Sequence, residues 1–247
     1  MRRHAVITGG GRGIGAAIAK AFDGAGIHTT LMGRDMDRLQ ATAKGLQKAD
    51  CRTLDVTDAE AVKEVFAALD DTVDILVNNA GIAPSSPFHR QTFNDWHGTF
   101  DVNVHGAFYC TQAVIGGMVE RNSGRVINVA STSAQKGYAY VAAYCASKHA
   151  LLGLTRALAS EYAAKDITFN AICPGFAETD LLVESVENIV SKTGRSADDA
   201  RAALASNNPQ KRFIVPDEVA EAALWLIGDA ARSVTGQAVS ISGGEVM

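Results

Sequence analysis

The chain has 247 residues, 47% of them hydrophobic and 20% charged, with a net charge of -4. That supports one sizeable core, and α/β folds of this length are commonly single domains. No basic tract points to nucleic acid, and no apolar run reaches the roughly 18 residues of a membrane helix.

The start, Met1 to Gly10, is basic, but its apolar run stops at Gly9, too short for a signal-peptide core. The expectation is a soluble, cytoplasmic protein that does not bind membranes. Cys51, Cys110, Cys145 and Cys173 are widely spaced, with no C-x-x-C pair. No metal site is expected, and each cysteine reads as a small buried hydrophobe. A reactive thiol at Cys145 or Cys173 is the alternative.

In chain order, short β-rich runs alternate with Ala-rich helical runs. Ala5–Thr8 reads as a strand, Ile14–Ala25 as a helix, Thr29–Met32 as a strand and Asp37–Lys48 as a helix. Arg52–Leu54 is a short strand, followed by a helix over Ala59–Leu69 capped by Asp58 or Thr57. Val73–Val77 and Arg125–Val129 are strands, and Phe93–Glu120 between them holds one or two helices. Ala142–Ala164 is helix, Ile167–Ile172 strand, Asp217–Ile227 helix and Ala238–Ile241 a last strand. The alternation predicts a parallel sheet covered on both faces. One stretch breaks the rhythm: Asp180–Val215 is helical where a short turn belongs. Insertions at strand carboxyl ends are where such folds bind ligands. Its Leu181, Leu182, Val186 and Ile189 share one helical face, and Thr193–Ser196 breaks the helix. It reads as a lid over an apolar pocket, packed on the body.

Thr8-Gly9-Gly10-Gly11-Arg12-Gly13-Ile14-Gly15 joins the first strand to the first helix. Glycines there allow a tight turn, and the helix N-terminus offers free N–H groups to a pyrophosphate. The second strand ends Leu31-Met32-Gly33-Arg34. An acidic residue there would accept from a ribose 2′-OH and mark NAD. Arg34 instead suits a 2′-phosphate, with Arg12 helping from the loop. Asp35 is expected to turn into the next helix's N-terminus. The cofactor reading is NADP(H), with NAD(H) as the alternative.

Tyr144 and Lys148 stand four apart in a stretch without Gly or Pro. On a helix they share one face. A nearby ammonium favours phenolate, so the pair is expected to give a tyrosine of lowered pKa, able to move protons near neutral pH.

Together these motifs resemble the short-chain dehydrogenase/reductase family over essentially the whole chain. The glycine loop is similar to that family's cofactor loop (Gly9, Gly11, Arg12, Gly13, Ile14, Gly15). Asp55-Val56 resembles its adenine-contacting pair. Asn78-Asn79-Ala80-Gly81 resembles its signature after the fourth strand, with Asn79-Ala80 lying along the ribose. Asn103, Ser131, Tyr144 and Lys148 fall where the family keeps its catalytic tetrad. Pro174-Gly175, Ala177 and Thr179 resemble the loop that holds the nicotinamide amide, although Ala177 stands where Val or Ile is more usual.

The resemblance implies a single-domain Rossmann-type three-layer fold, with a parallel sheet of about seven strands. It implies a homotetramer paired through Phe100–Glu120 and Ala142–Ala164. It also implies hydride transfer between the cofactor and a ketone or alcohol. Tyr144 would be the acid, Ser131 a donor to the carbonyl oxygen, and Lys148 a ligand to the ribose. Asn103 would position a water that links Lys148 to solvent. Ser133 competes for the serine role, but its spacing to the tyrosine fits less well. Tyr138 and Tyr140 do not stand four before Lys148 and read as pocket walls. Enoyl reductases space their tyrosine and lysine seven apart, so the bond reduced is expected to be C=O.

Ala130 to Thr132, Tyr144 to His149 and Asn170 to Phe176 are similar to 3-oxoacyl-thioester and polyketide ketoreductases and to 3-hydroxyacyl-CoA dehydrogenases. An NADPH-dependent 3-oxoacyl-thioester reductase follows, with Lys192, Arg195, Lys211 and Arg212 as candidates for the phosphates of a carrier arm. An NAD-dependent secondary-alcohol or 3-hydroxyacyl-CoA dehydrogenase is the alternative, and a non-catalytic nucleotide-binding subunit is a third reading.

Overall fold

The computed structural model describes residues 3–247; Met1 and Arg2 of the basic start lie outside the described residues. Seven parallel strands form one sheet: β1 (His4–Thr8), β2 (His28–Gly33), β3 (Ala49–Thr53), β4 (Ile75–Asn78), β5 (Gly124–Val129), β6 (Ile167–Pro174) and β7 (Ala238–Ile241). Their order is β3-β2-β1-β4-β5-β6-β7. The chain runs outward from β1 to β3, then returns to β4 beside β1. That reversal opens a crevice at the carboxyl ends of β1 and β4, where such sheets bind ligands.

The strands read as near-continuous apolar runs because both faces are covered. Ala5, Ile7, Ile75, Val77 and Ile127 pack on one face with Ile18 and Phe22 of helix α1 (Gly13–Gly24) and Val219 of a helix over Pro216–Leu226. Val6, Leu76 and Val126, one residue out of step, meet Val62, Phe66, Cys110, Val114 and Met118 on the other. Each Val, Leu, Ile, Phe or Met among them, when fully buried, contributes roughly 1.5–3 kcal/mol.

The remaining helices are α2 (Met36–Ala43), α3 (Ala59–Ala67), α4 (Phe93–Phe100), α5 (Gly106–Arg121), α6 (Ala142–Glu161), α7 (Asp180–Thr193), α8 (Ala197–Ala205) and α9, the Pro216–Leu226 helix. Asp58 is the α3 cap, accepting from Glu60 N and Ala61 N. Asp35 caps α2, accepting from Arg38 N at 3.1 Å. α2 stops at Ala43, five residues short of the expected end, because Asp23 draws Gln47 N and Lys48 N into hydrogen bonds of 3.0–3.1 Å. The expected insertion is α7 and α8. Gly194 breaks it at φ +71°, and Ser196 caps α8 by accepting from Asp199 N. Arg212 pairs with Glu218 through two exposed bonds of 2.7 Å, which hold that carboxyl down at about 2. Among the described residues no helix is long and apolar enough to cross a membrane.

At the opposite end of the sheet the rings of His4 and His28 stack at 4.8 Å. His4 Nε2 pairs with Thr30 Oγ1 at 2.8 Å, and His28 lies between Asp71 and Asp50. Burial, then repulsion from His28, pulls the His4 pKa down; Asp71 and backbone groups of Asp71 and Thr72 oppose this. The native state therefore resists a proton that the unfolded chain takes up near pH 6.5. This share of stability is intact above that value and is lost as pH falls below it. The melting temperature should drop between about pH 7.5 and about pH 5.5, and His4→Gln should flatten that drop. Thermal unfolding at both pH values checks it.

Candidate active site

The crevice is held open by a clamp between β1 and β4. Thr8 Oγ1 accepts from Asn79 N at 3.0 Å and Ala80 N at 3.1 Å. Asn79 Nδ2 returns two bonds, to Thr8 O at 3.0 Å and Gly9 O at 3.1 Å. Gly9 (φ +65°) and Gly13 (φ +54°) occupy left-handed backbone that only glycine adopts cheaply. A Cβ at Gly15 would collide with the Gly9 carbonyl and come within 2.6 Å of Asn79 Nδ2. The loop is thus a tight cradle whose glycine positions exclude a Cβ, beside a helix N-terminus.

One cavity of about 1040 Å³ runs along the carboxyl ends of the strands. Gly9, Gly11, Arg12, Gly13, Ile14, Arg34, Asp55, Val56, Asn79, Ala80 and Gly81 line it toward the β2 side. Ser131, Tyr144, Lys148, Pro174, Gly175, Ala177 and Thr179 line it toward β5 and β6. Of the predicted residues, Gly15 and Asn103 do not line it. Gly15 packs beneath the loop. Asp55 Oδ1 accepts from Thr57 N and Thr57 Oγ1, which, with Arg34 nearby, keeps its carboxyl below the usual range. Arg38 also lines the cavity, a residue that sequence reasoning missed. Its spacing four after Arg34 was the available signal. Arg12 and Arg38 meet Asp180 Oδ2 of α7 at 2.6 and 3.4 Å, so the helical insertion is tied to the glycine loop.

Asn103 sits in a π-helical turn (Asp101–His105) between α4 and α5. Its Oδ1 accepts from Ile82 N at 2.9 Å, and its Nδ2 donates to Ile82 O and Ser147 Oγ, each at 3.0 Å. The amide is spent on structure: it pins the loop after β4 to α6 between Tyr144 and Lys148. Ser131 Oγ accepts from Ser133 N at 3.0 Å, which leaves its own proton free to donate into the cavity. Ser133 lines the same wall but is buried.

Tyr144 corrects an expectation. Burial pushes its phenol up to about 12, and the neighbouring Ser131 hydroxyl offsets this only in part. Lys148 Nζ donates to Val129 O at 2.8 Å and stands 5.6 Å from the tyrosine ring centre, over the ring, and burial outweighs its pull on the phenol. Burial brings the ammonium itself down to about 8. At neutral pH the pair is therefore a protonated phenol beside a cation. Burial raises the Cys173 thiol to about 11 and the Cys110 thiol to about 12, and Cys145 is buried, so the reading as buried hydrophobes holds for these three, whereas Cys51 is only partly buried.

Tyr138 and Tyr140 form walls as expected, with Tyr140 held at φ +70°, and Phe176 joins them. α7 closes the top. Asn188 Nδ2 donates to Ser85 Oγ at 2.6 Å and Lys192 Nζ to Ser85 O at 3.1 Å. Leu181, Leu182 and Ile189 face the cavity, while Val186 packs with Ala200 beneath.

A dinucleotide cradle opening onto a proton donor under an apolar cover defines a nucleotide-dependent oxidoreductase. The chain belongs to the short-chain dehydrogenase/reductase family, whose short chain dehydrogenase model matches residues 3–189. It is 36% identical to an acetoacetyl-CoA reductase of Shinella zoogloeoides, over 99% of both chains. It is 35% identical to a 3-oxoacyl-[acyl-carrier-protein] reductase of Thermotoga maritima, over 98% of this chain and 97% of that one. A solved actinorhodin polyketide ketoreductase with NADPH superposes with a TM-score of 0.95 at 35% identity, over 99% of this chain and 97% of the other.

The glycine cradle gives a direct test. Gly15→Ala should weaken binding of a nicotinamide dinucleotide by about tenfold or more while the chain stays folded, because the added Cβ displaces the Gly9 carbonyl. Calorimetric titration beside circular dichroism checks both halves.

Proposed function

We propose that the enzyme uses NADPH to reduce the 3-oxo group of an acyl thioester. One observation carries the reading: a single cavity joins Arg12, Arg34 and Arg38 to Ser131 and Tyr144, beneath the apolar side chains of α7. The acetoacetyl-CoA and 3-oxoacyl reductases among its relatives, and the NADPH in the similar ketoreductase, support the substrate class and the cofactor.

The residues fit the dinucleotide. The glycine-rich backbone from Gly9 to Gly15 suits the pyrophosphate, Asp55 and Val56 the adenine, and Arg34 with Arg12 the 2′-phosphate. Arg38 is placed to join them. Asn79-Ala80 would lie along the ribose and Pro174 to Thr179 beside the nicotinamide amide. The bound nicotinamide supplies the hydride that reaches the carbonyl carbon.

The protein's own groups meet the charge that develops on the carbonyl oxygen. Tyr144, protonated at neutral pH, donates its proton there, and Ser131 donates a hydrogen bond. Lys148 spends one proton on Val129 O and keeps two for the ribose hydroxyls. Asn103 acts through its place in the π-turn. Its side chain is committed to Ile82 and Ser147, so a water leading to Lys148 would be held by the Asn103 main chain. α7 and α8, residues 180–215, act as the lid. The enzyme would work in the cytoplasm as a homotetramer paired through α5 and α6, a pairing supported by the exposed Phe108 of α5.

The test follows NADPH absorbance with a panel of β-keto thioesters, cyclic ketones and simple sugars. Thioesters should be reduced fastest; activity on sugars alone would reject the acyl reading. Tyr144→Phe should lower turnover by about 10²–10⁴-fold. Reduction should be level below about pH 8 and fall above it, as Lys148 loses the proton that makes it a cation. Full turnover in Tyr144→Phe would sink the mechanism.

Arg34→Ala should raise the KM for NADPH about tenfold or more and leave that for NADH unchanged, since only the former loses charge-assisted hydrogen bonds. Parallel KM measurements with the two cofactors decide it.

A further inference from the structure

After β7 the chain reverses through Gly243 (φ +62°) and Gly244 (φ +89°). A Cβ at Gly243 would collide with the Asn208 side chain, so the tail threads close beneath the loop that follows α8. The reversal sends Glu245 inward, with its side chain only 1% exposed. Burying a carboxylate costs several kcal/mol unless it is well paired, and this one is.

Tyr138 Oη donates to Glu245 Oε1 at 2.5 Å, and Lys136 Nζ lies 3.1 Å from the same oxygen. Glu245 Oε2 faces Gly175, where a Cβ would come within 3.0 Å. A phenol has one proton. Because Tyr138 gives its proton to Glu245, the 2.6 Å contact with Thr132 Oγ1 is made by the threonine hydroxyl donating to Tyr138. Thr132 follows Ser131 directly. Lys136 also stands 4.8 Å from the Tyr138 ring centre, and Phe176 meets that ring edge-on at 6.3 Å. Tyr138, Thr132, Phe176 and Gly175 all line the cavity.

We infer that Glu245 is a positioning residue for ketone recognition. It turns the Tyr138 hydroxyl away from the substrate, so that the cavity presents the ring. It also sets the distance between the Tyr138–Phe176 wall and Ser131. The chain that fits beside the reacting carbonyl is thereby restricted. The inference rests on the thioester-reductase reading for the class of chain, and on geometry for the role.

The experiment measures KM and kcat with NADPH for short and bulky 3-oxoacyl thioesters and for a simple cyclic ketone. The proteins are wild type, Glu245→Ala, Glu245→Gln, Tyr138→Phe and the Tyr138→Phe/Glu245→Ala pair. Glu245→Ala should raise the ketone KM about tenfold, as expected for losing a hydrogen bond to a charged group. It should change kcat and the NADPH KM little, and narrow the preference between short and bulky chains. Glu245→Gln should recover most of the loss, because its amide oxygen still accepts from Tyr138. Tyr138→Phe keeps the ring in the cavity but loses its anchor to Glu245, so it should narrow the preference between short and bulky chains as Glu245→Ala does, and the pair should lose no more than Glu245→Ala alone.

Unchanged ketone KM and preference in Glu245→Ala would overturn the inference. So would equal losses in the Gln and Ala variants, or a loss confined to the NADPH KM. Should Glu245→Ala not fold, Tyr138→Phe, which removes a single oxygen, decides the matter. If wild type reduces the cyclic ketone and no thioester, the substrate class falls and Glu245 is judged on that ketone. If wild type reduces neither, both readings fall.

Discussion

The rest of the site depends on the clamp between Thr8 and Asn79. Four hydrogen bonds of 3.0–3.1 Å join the carboxyl ends of β1 and β4, where the strand order reverses. Two of them use backbone N–H groups of Asn79 and Ala80 that no strand partner satisfies. The other two hold the carbonyls at the entry of the glycine loop. Without that bracing a loop with so many glycines would carry a large conformational entropy. With it, the loop is fixed before any nucleotide arrives.

The same economy of polar groups extends below the crevice. Asn78 Nδ2 donates to Asn128 Oδ1 and Thr111 Oγ1, and Asn128 Nδ2 donates to Thr155 Oγ1, all buried. β4, β5, α5 and α6 are therefore joined by directional contacts as well as by apolar packing. Asn103 adds the loop after β4. Tyr144 and Lys148 inherit their positions from these bonds, since α6 is held against the sheet next to them. Preorganisation of this kind lets a hydroxyl and a phenol meet developing charge without reorganising.

Burial then decides the protonation states. A phenol and an ammonium four residues apart on a helix look as if they should trade a proton. In the folded chain the ammonium is drawn to Val129 O, and low-dielectric surroundings penalise phenolate more than the cation relieves it. The result is a tyrosine that keeps its proton, which suits a donor in the reductive direction. Cys173, next to Lys148, is kept inert by the same penalty.

Whereas Ser131 was placed only by the family resemblance, the alternation of strands and helices, the glycine loop, the Arg34 position and the Tyr144–Lys148 spacing were legible in the sequence. Each is a local pattern: periodicity, a turn that only glycine can make, or a pair on one helical face. Helix ends were less legible where a distant side chain intervened, as Asp23 does beyond α2. Long-range juxtaposition was not legible. Nothing near residue 245 announces that its carboxylate reaches Tyr138, and nothing near Arg12 announces Asp180. The chemistry the chain carries could be read from short spacings and from the family motifs they form. Which proton sits where, and what walls the substrate meets, emerged with the packed fold, because desolvation and pairing depend on neighbours far away along the chain.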